Sequence, residues 1–370
     1  MPEQIEILIV ENEDDQIELY TDAIDEYNES PENISIVSTI VKTVDDAKEM
    51  IRENHYDAAF IDLCLSDEGV DEEKDGKKIV HYIKKYARYP VYIVSGSLDE
   101  ETSELSENKF IEEHDRDSVD TERLLYEVQT LFKTGITNVL GLKGFFEQHL
   151  DDIFWKHFAQ SKEYWLQKEL DGTQLKRIVS RYTLSHLFEY LETTSDSDPI
   201  QYDVAEMYIS PVIKEAISPG DIVTDSDNHY LVLSPACDLA QGCENVILVR
   251  LIKLFELEAI QLKKERYLEA ESNGKRGDLI STLQNYIKNN KDRYHFLPRF
   301  LEFDAHVADY QKITTLSYSD ANDLTSVMSI SPLYFKDVQS RFASYYARQG
   351  SPDFDSASLS QEYFESLTST

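Results

Sequence analysis

The chain is 370 residues long, 41% of them hydrophobic, with a formal net charge of −35. That length exceeds one ordinary domain, and that apolar content can fill real cores, which excludes global disorder. A surface this negative repels phosphate backbones, which argues against direct binding to nucleic acid.

The acidity is uneven: residues 1–135 hold 36 acidic and 13 basic residues. Within that stretch Ile5–Val10 reads as a strand, and residues 16–28 place Ile17, Leu19, Tyr20 and Ile24 at roughly helical spacing. Ile34–Val41 is a second strand. Val44–Glu53 is a helix with Ala47, Met50 and Ile51 on one face and Thr43 or Asp45 as N-cap. Ala58–Leu65 is a third strand, followed by the acidic loop Ser66–Lys74, Asp75-Gly76 and a helix over Ile79–Tyr86. Val91–Ser95 is a fourth strand after Pro90, and Lys109–Glu112 a short fifth. The fourth helix, between them, must be short. Asp120–Lys133 is an amphipathic helix with Leu124, Leu125, Val128, Leu131 and Phe132 inward. Strands alternating with helices predict an α/β, flavodoxin-like, doubly wound parallel sheet of five strands.

Past Gly135 the pattern changes. Aromatic residues recur at helical spacing over Phe145–Leu166, and Leu175–Leu191 reads as another helix. TTSDSDP at 193–199 is a linker by composition. Three strands follow, near Gly220–Val223, His229–Ser234 and Val246–Leu251, with some look of a small barrel. Helices are expected near Glu256–Glu271, Leu279–Asn289 and Ser331–Arg348. The division that follows is a first domain over 1–135, a helical connector over 136–200, an α+β output or interaction domain over 201–350, and a flexible tail over 351–370.

Two apolar runs of the first domain end on acids: Ile5–Val10 leads into Glu11-Asn12-Glu13-Asp14, and Ala58–Ile61 into Asp62. In an open α/β sheet, ligands sit beyond the carboxyl ends of the strands, so carboxylates at two such ends can converge on one cation. A lone Asp after a strand is more often a cap or turn residue, and acids collect in wet loops. The joint placement of Glu11, Asp62 and Ser95 at three strand ends favours a pocket.

These residues resemble the response-regulator receiver domain of two-component signalling, over about residues 5–133. FIDLCL with Asp75-Gly76 beyond it fits that family's strand–Asp–loop–Asp-Gly pattern, with a longer loop. The resemblance implies Asp62 as phosphoacceptor and Ser95, in YIVSGS, as the switch hydroxyl. It implies Mg²⁺ held by Glu11, Asn12, Asp62 and the backbone carbonyl of Cys64. Asn12 stands where an anionic ligand is usual, and Glu13 or Asp14 could substitute if the loop is slipped by a residue. Lys109 is the nearest candidate for the family's Lys. If Lys109 begins the fifth strand, the equivalent slot falls on Glu113 or His114. The implied partners are a histidine kinase and a downstream effector protein.

The remainder carries no Walker loop, HExxH, GxSxG or kinase signature, and no basic helix-turn-helix stretch, so neither an enzyme nor a transcription factor is expected. Cys237-Asp238, with Cys243 and His229, invites a nucleophile or metal reading, but the spacing matches no standard zinc pattern. A buried Cys beside a capping Asp is the expectation, with a receiver-controlled hydrolase or nuclease using Cys237 and Asp238 as the enzymatic alternative. Cys64, Cys237 and Cys243 make no disulfide framework. No apolar run approaches a membrane span, and MPEQIEILIV has no basic n-region, so a cytoplasmic location is expected. The aromatic helices suit a core, a domain junction or a homodimer surface. A receiver tied to a region that neither binds DNA nor catalyses resembles receiver proteins of Detocs-like bacterial antiviral phosphorelays. The functional expectation is a Mg²⁺-dependent phosphoacceptor, with a pseudo-receiver scaffold as its rival.

Overall fold

A computed structural model describes residues 4–65, 73–96, 108–141, 144–192, 202–270, 272–348 and 354–368. The chain divides into two compact units, Met1–Ser197 and Asp198–Thr370. Most of the acidic loop Ser66–Lys74, the short fourth helix expected after Ser95 and the linker 193–199 lie outside the described residues.

Five parallel strands build the first unit: β1 (Ile5–Val10), β2 (Ile36–Val41), β3 (Ala58–Ile61), β4 (Val91–Ser95) and β5 (Ile111–Asp115), in the order β2-β1-β3-β4-β5. This is the flavodoxin-like doubly wound sheet. Alternate residues of β1 feed opposite faces, which is why the run is apolar but for the exposed Glu6. Ile5, Ile7 and Ile9 pack with Tyr20 and Ile24 of α1 (Asp14–Asn28) and with Leu124 and Val128 of the helix Thr121–Lys133. Leu8 and Val10 pack with Ala47 and Ile51 of α2 (Val44–Glu53) and with Ile79 and Ile83 of α3 (Glu73–Tyr86). Thr43 caps α2, accepting the Asp46 N–H at 3.2 Å.

Residues just past 135 stay bound to this sheet. Asp57, at the amino end of β3, accepts the Glu6 N–H at 3.0 Å and the Thr137 hydroxyl at 2.8 Å. That places the short helix Ile136–Leu140 at the sheet's amino edge, and the segment groups with the first unit. The helix expected over Phe145–Leu166 is three pieces, Phe145–Asp152, a π-helical Ile153–Phe158 and Lys162–Leu166, facing the long helix Gly172–Glu192. The wider turn keeps Ile153 inside while Phe154 and Trp155 turn outward.

The second unit is a curled antiparallel sheet in the order β10-β11-β9-β8-β7-β12-β6. Its strands are β6 (Tyr208–Ile209), β7 (Asp221–Thr224), β8 (His229–Val232), β9 (Asn245–Lys253), β10 (Tyr294–Leu297), β11 (His306–Ser317) and β12 (Thr325–Ile330). A register shift between Ala308 and Ile313 lets the long β11 bend while it stays paired to β9. Four of these strands were not expected. Gln311-Lys312 and the threonines interrupt β11's apolar pattern, because its second half faces solvent. The helix Pro332–Ala347 seats Phe335 and Val338 on one sheet face. Within the tail expected over 351–370, residues Ser356–Thr368 form a helix with no buried side chain.

Gly76 shows how α3 is fitted to β3. A Cβ there would stand 2.4 Å from the Asp62 carbonyl oxygen and 2.5 Å from Leu63 Cα, so only Gly allows this approach. Gly76→Val is expected to lower the urea midpoint by an amount equivalent to about 1–3 kcal/mol. An unchanged midpoint would contradict the close packing.

Candidate functional site

Four strands deliver one side chain each to the carboxyl edge of the sheet, just past or at the last residue of each ladder. The Glu11 N–H donates to the Val41 carbonyl at 3.0 Å, Asp62 to Val10 at 2.9 Å, and Arg116 to Ser95 at 3.1 Å. These residues are therefore held by the sheet itself, although Glu11 and Arg116 fall outside the strands read from the sequence. Glu11 and Asp62 are each 2% exposed, and Ser95 is fully buried.

Arg116 joins them. Its Nη2 lies 2.8 Å from Asp62 Oδ2 and 3.5 Å from Glu11 Oε2, and its Nη1 lies 3.1 Å from Glu13 Oε2. Glu11 Oε1 is committed elsewhere, accepting the backbone N–H groups of Asn12 at 2.8 Å and Glu13 at 2.9 Å. Burial pushes the Asp62 carboxyl above its ordinary pKa; the Arg116 charge and hydrogen bonds from Arg116, the Cys64 N–H and the Ser95 hydroxyl pull against it. Burial also raises Glu11, and the nearby Asp62 charge adds to that, against the pull of the Glu13 N–H and of Arg116. Burial works against the charge on Arg116 too, but the carboxylates of Asp62, Glu11 and Glu13 outweigh it and hold the guanidinium charged.

Glu11, Asp62 and Ser95 thus come together, and Cys64 contributes its backbone N–H. Asn12 is half-buried beside them, its Oδ1 shielded and without a hydrogen-bond partner among the described residues. Glu13 joins the site through Arg116, whereas Asp14 pairs outward with Lys42. Lys109 does not join. It precedes β5 and lines a cavity with Pro90, Tyr92 and Leu131, at the opposite end of the strand from Asp62. Glu113 and His114 lie within β5, and His114 sits beside Glu112. Sequence reasoning missed Arg116 because it sought a Lys and ended the fifth strand three residues early. The first basic residue beyond the IEEHD run was the available signal.

The donors expected for Mg²⁺ are hard oxygens, which suits that ion. Their arrangement does not fit it: a guanidinium nitrogen lies within 3.5 Å of both carboxylates that the ion would bridge, and one oxygen of Glu11 is already spent on backbone. In the second unit, Cys237 is exposed with its thiol 3.3 Å from Asp238 Oδ1, and Cys243 packs among Val223 and Leu239. His229 lies against Phe303 and His306. Among the described residues no three His, Cys, Asp or Glu side chains gather as metal ligands, and no helix is long and apolar enough to cross a membrane.

No family profile and no curated protein matches the chain. Solved receiver domains are similar to its first third. A two-component response regulator from Clostridium difficile is 18% identical, covering 35% of this chain and 97% of that one, at a TM-score of 0.29. A CheY-like receiver domain protein from Methanospirillum hungatei JF-1 is 18% identical over 36% and 100%, at 0.28. A third, from Methylobacillus flagellatus, is 21% identical over 35% and 99%, at 0.27. The fold itself rests on the strand order above.

Because the folded pKa values of Asp62 and Glu11 are raised, the folded state takes up protons before the unfolded chain does as pH falls. Stability is therefore gained on passing down through the folded pKa values and levels off below the unfolded ones. The stability difference between wild type and Asp62→Asn in urea is expected to shift in favour of wild type as pH falls from about 7 to about 5. A difference that stays constant, or shifts the other way, would contradict the raised value.

Proposed function

We propose that the first unit is a receiver that takes a phosphoryl group onto Asp62 from a phosphohistidine of a histidine kinase. The carrying observation is the convergence of Asp62, Ser95 and Arg116 from three strand ends in one buried cluster. In the transfer, the donor's N–P bond breaks, an Asp62 Oδ–P bond forms, and the released imidazole takes up a proton. Arg116 offers the paired donors that suit phosphate oxygens, and it lies beside the attacking atom. The buried Ser95 hydroxyl, which pulls the Asp62 pKa down, changes partner when the acyl phosphate forms. The resemblance implies Mg²⁺ at Glu11, Asn12, Asp62 and the Cys64 carbonyl; the geometry favours the guanidinium in its place.

The signal then passes through protein contacts of the second unit to a downstream effector in the cytoplasm. A bacterial antiviral phosphorelay is one setting that suits a receiver joined to an antiparallel sheet domain. The exposed Cys237, paired among the described residues to its neighbour Asp238, gives a hydrolase or nuclease output no support.

Incubation with a small phosphodonor tests this. Intact-mass measurement is expected to show one added phosphoryl group on wild type and none on Asp62→Asn. An unlabelled wild type would leave a docking scaffold in place of a phosphoacceptor.

A further inference from the structure

We infer that Arg116 is a built-in substitute for the divalent cation, so that the pocket around Asp62 works without metal. The claim deepens the receiver reading but stands on geometry of its own. An ion bridging Glu11 and Asp62 needs Glu11 Oε2 and Asp62 Oδ2, and Arg116 Nη2 contacts both, at 3.5 and 2.8 Å. Nη1 extends the contact to Glu13, so one planar group answers three carboxylates. The remaining oxygen of Glu11 is tied to the Asn12 and Glu13 N–H groups and is not free to turn toward an ion.

Asn12 points the same way. It offers a neutral oxygen in place of a second acidic ligand, which reduces the attraction for a dication without disturbing an arginine that has three anionic partners already. The backbone of Arg116 is fixed by its hydrogen bond to Ser95, so the guanidinium is delivered by the sheet and does not depend on a mobile loop. A guanidinium also keeps its charge at every physiological pH.

Mn²⁺ serves as the probe, followed by electron paramagnetic resonance on the full chain. Wild type is expected to show no saturable site that Asp62→Asn removes. Arg116→Gln is expected to gain such a site, binding about tenfold or more tighter than wild type, since one like charge at this range shifts a charged equilibrium by about one to three decades. A wild-type site as tight as that of Arg116→Gln, and lost in Asp62→Asn, overturns the inference. The wild-type titration decides the matter even where Arg116→Gln fails to fold.

Phosphodonor labelling in excess EDTA gives a second readout. Labelling is expected to persist. Labelling that appears only with Mg²⁺ overturns the inference and leaves the receiver reading intact. Absence of label with and without Mg²⁺ removes the receiver reading, and the Mn²⁺ titration still decides what occupies the pocket.

Discussion

Two carboxylates held almost out of water at neighbouring strand ends cannot both stay charged unless a cation lies between them. Glu11 and Asp62 impose that condition on the first unit, and Arg116 satisfies it from a third strand. The strand order makes the arrangement available. With β1 and β3 adjacent and winding reversing between them, their carboxyl ends face one crevice, and β4 and β5 extend it in the same direction. What distinguishes this pocket is that its neutralising charge is covalently part of the sheet.

Much of the first unit was legible because burial on both faces leaves a blunt record. Ile5–Val10 is apolar but for Glu6 and Val91–Ser95 but for its last residue, and their bounds could be read directly. Helix α2 showed its inward stripe and two cap candidates, Thr43 and Asp45, of which Thr43 is the cap. The fifth strand was harder. IEEHD lies at the sheet edge with one fully buried residue, so its composition resembles a loop and its start was read too early. That error of register carried the search for a cation toward Lys109 and past Arg116.

The second unit was less legible for a related reason. Its sheet is antiparallel and partly solvated, so polar residues interrupt several of its strands. In β11 the buried half, HVADY, and the exposed half, QKITTLS, look like different elements until the bulge between them is known. The turn-rich stretch from Gly220 to Ser234 was readable because Gly220 and the Asp225–Asn228 turn bracket β7 and β8 clearly. Its cysteines carried less meaning than their neighbours suggested, since Cys243 fills an apolar cluster and Cys237 faces solvent.

The most direct measurement is a double-mutant cycle on Asp62→Asn and Arg116→Gln, read by urea unfolding at neutral pH. The account predicts a favourable coupling of about 1 kcal/mol or more between the two side chains. Additivity within about 0.5 kcal/mol would mean that the guanidinium does not hold the carboxylate, and the central claim would fail.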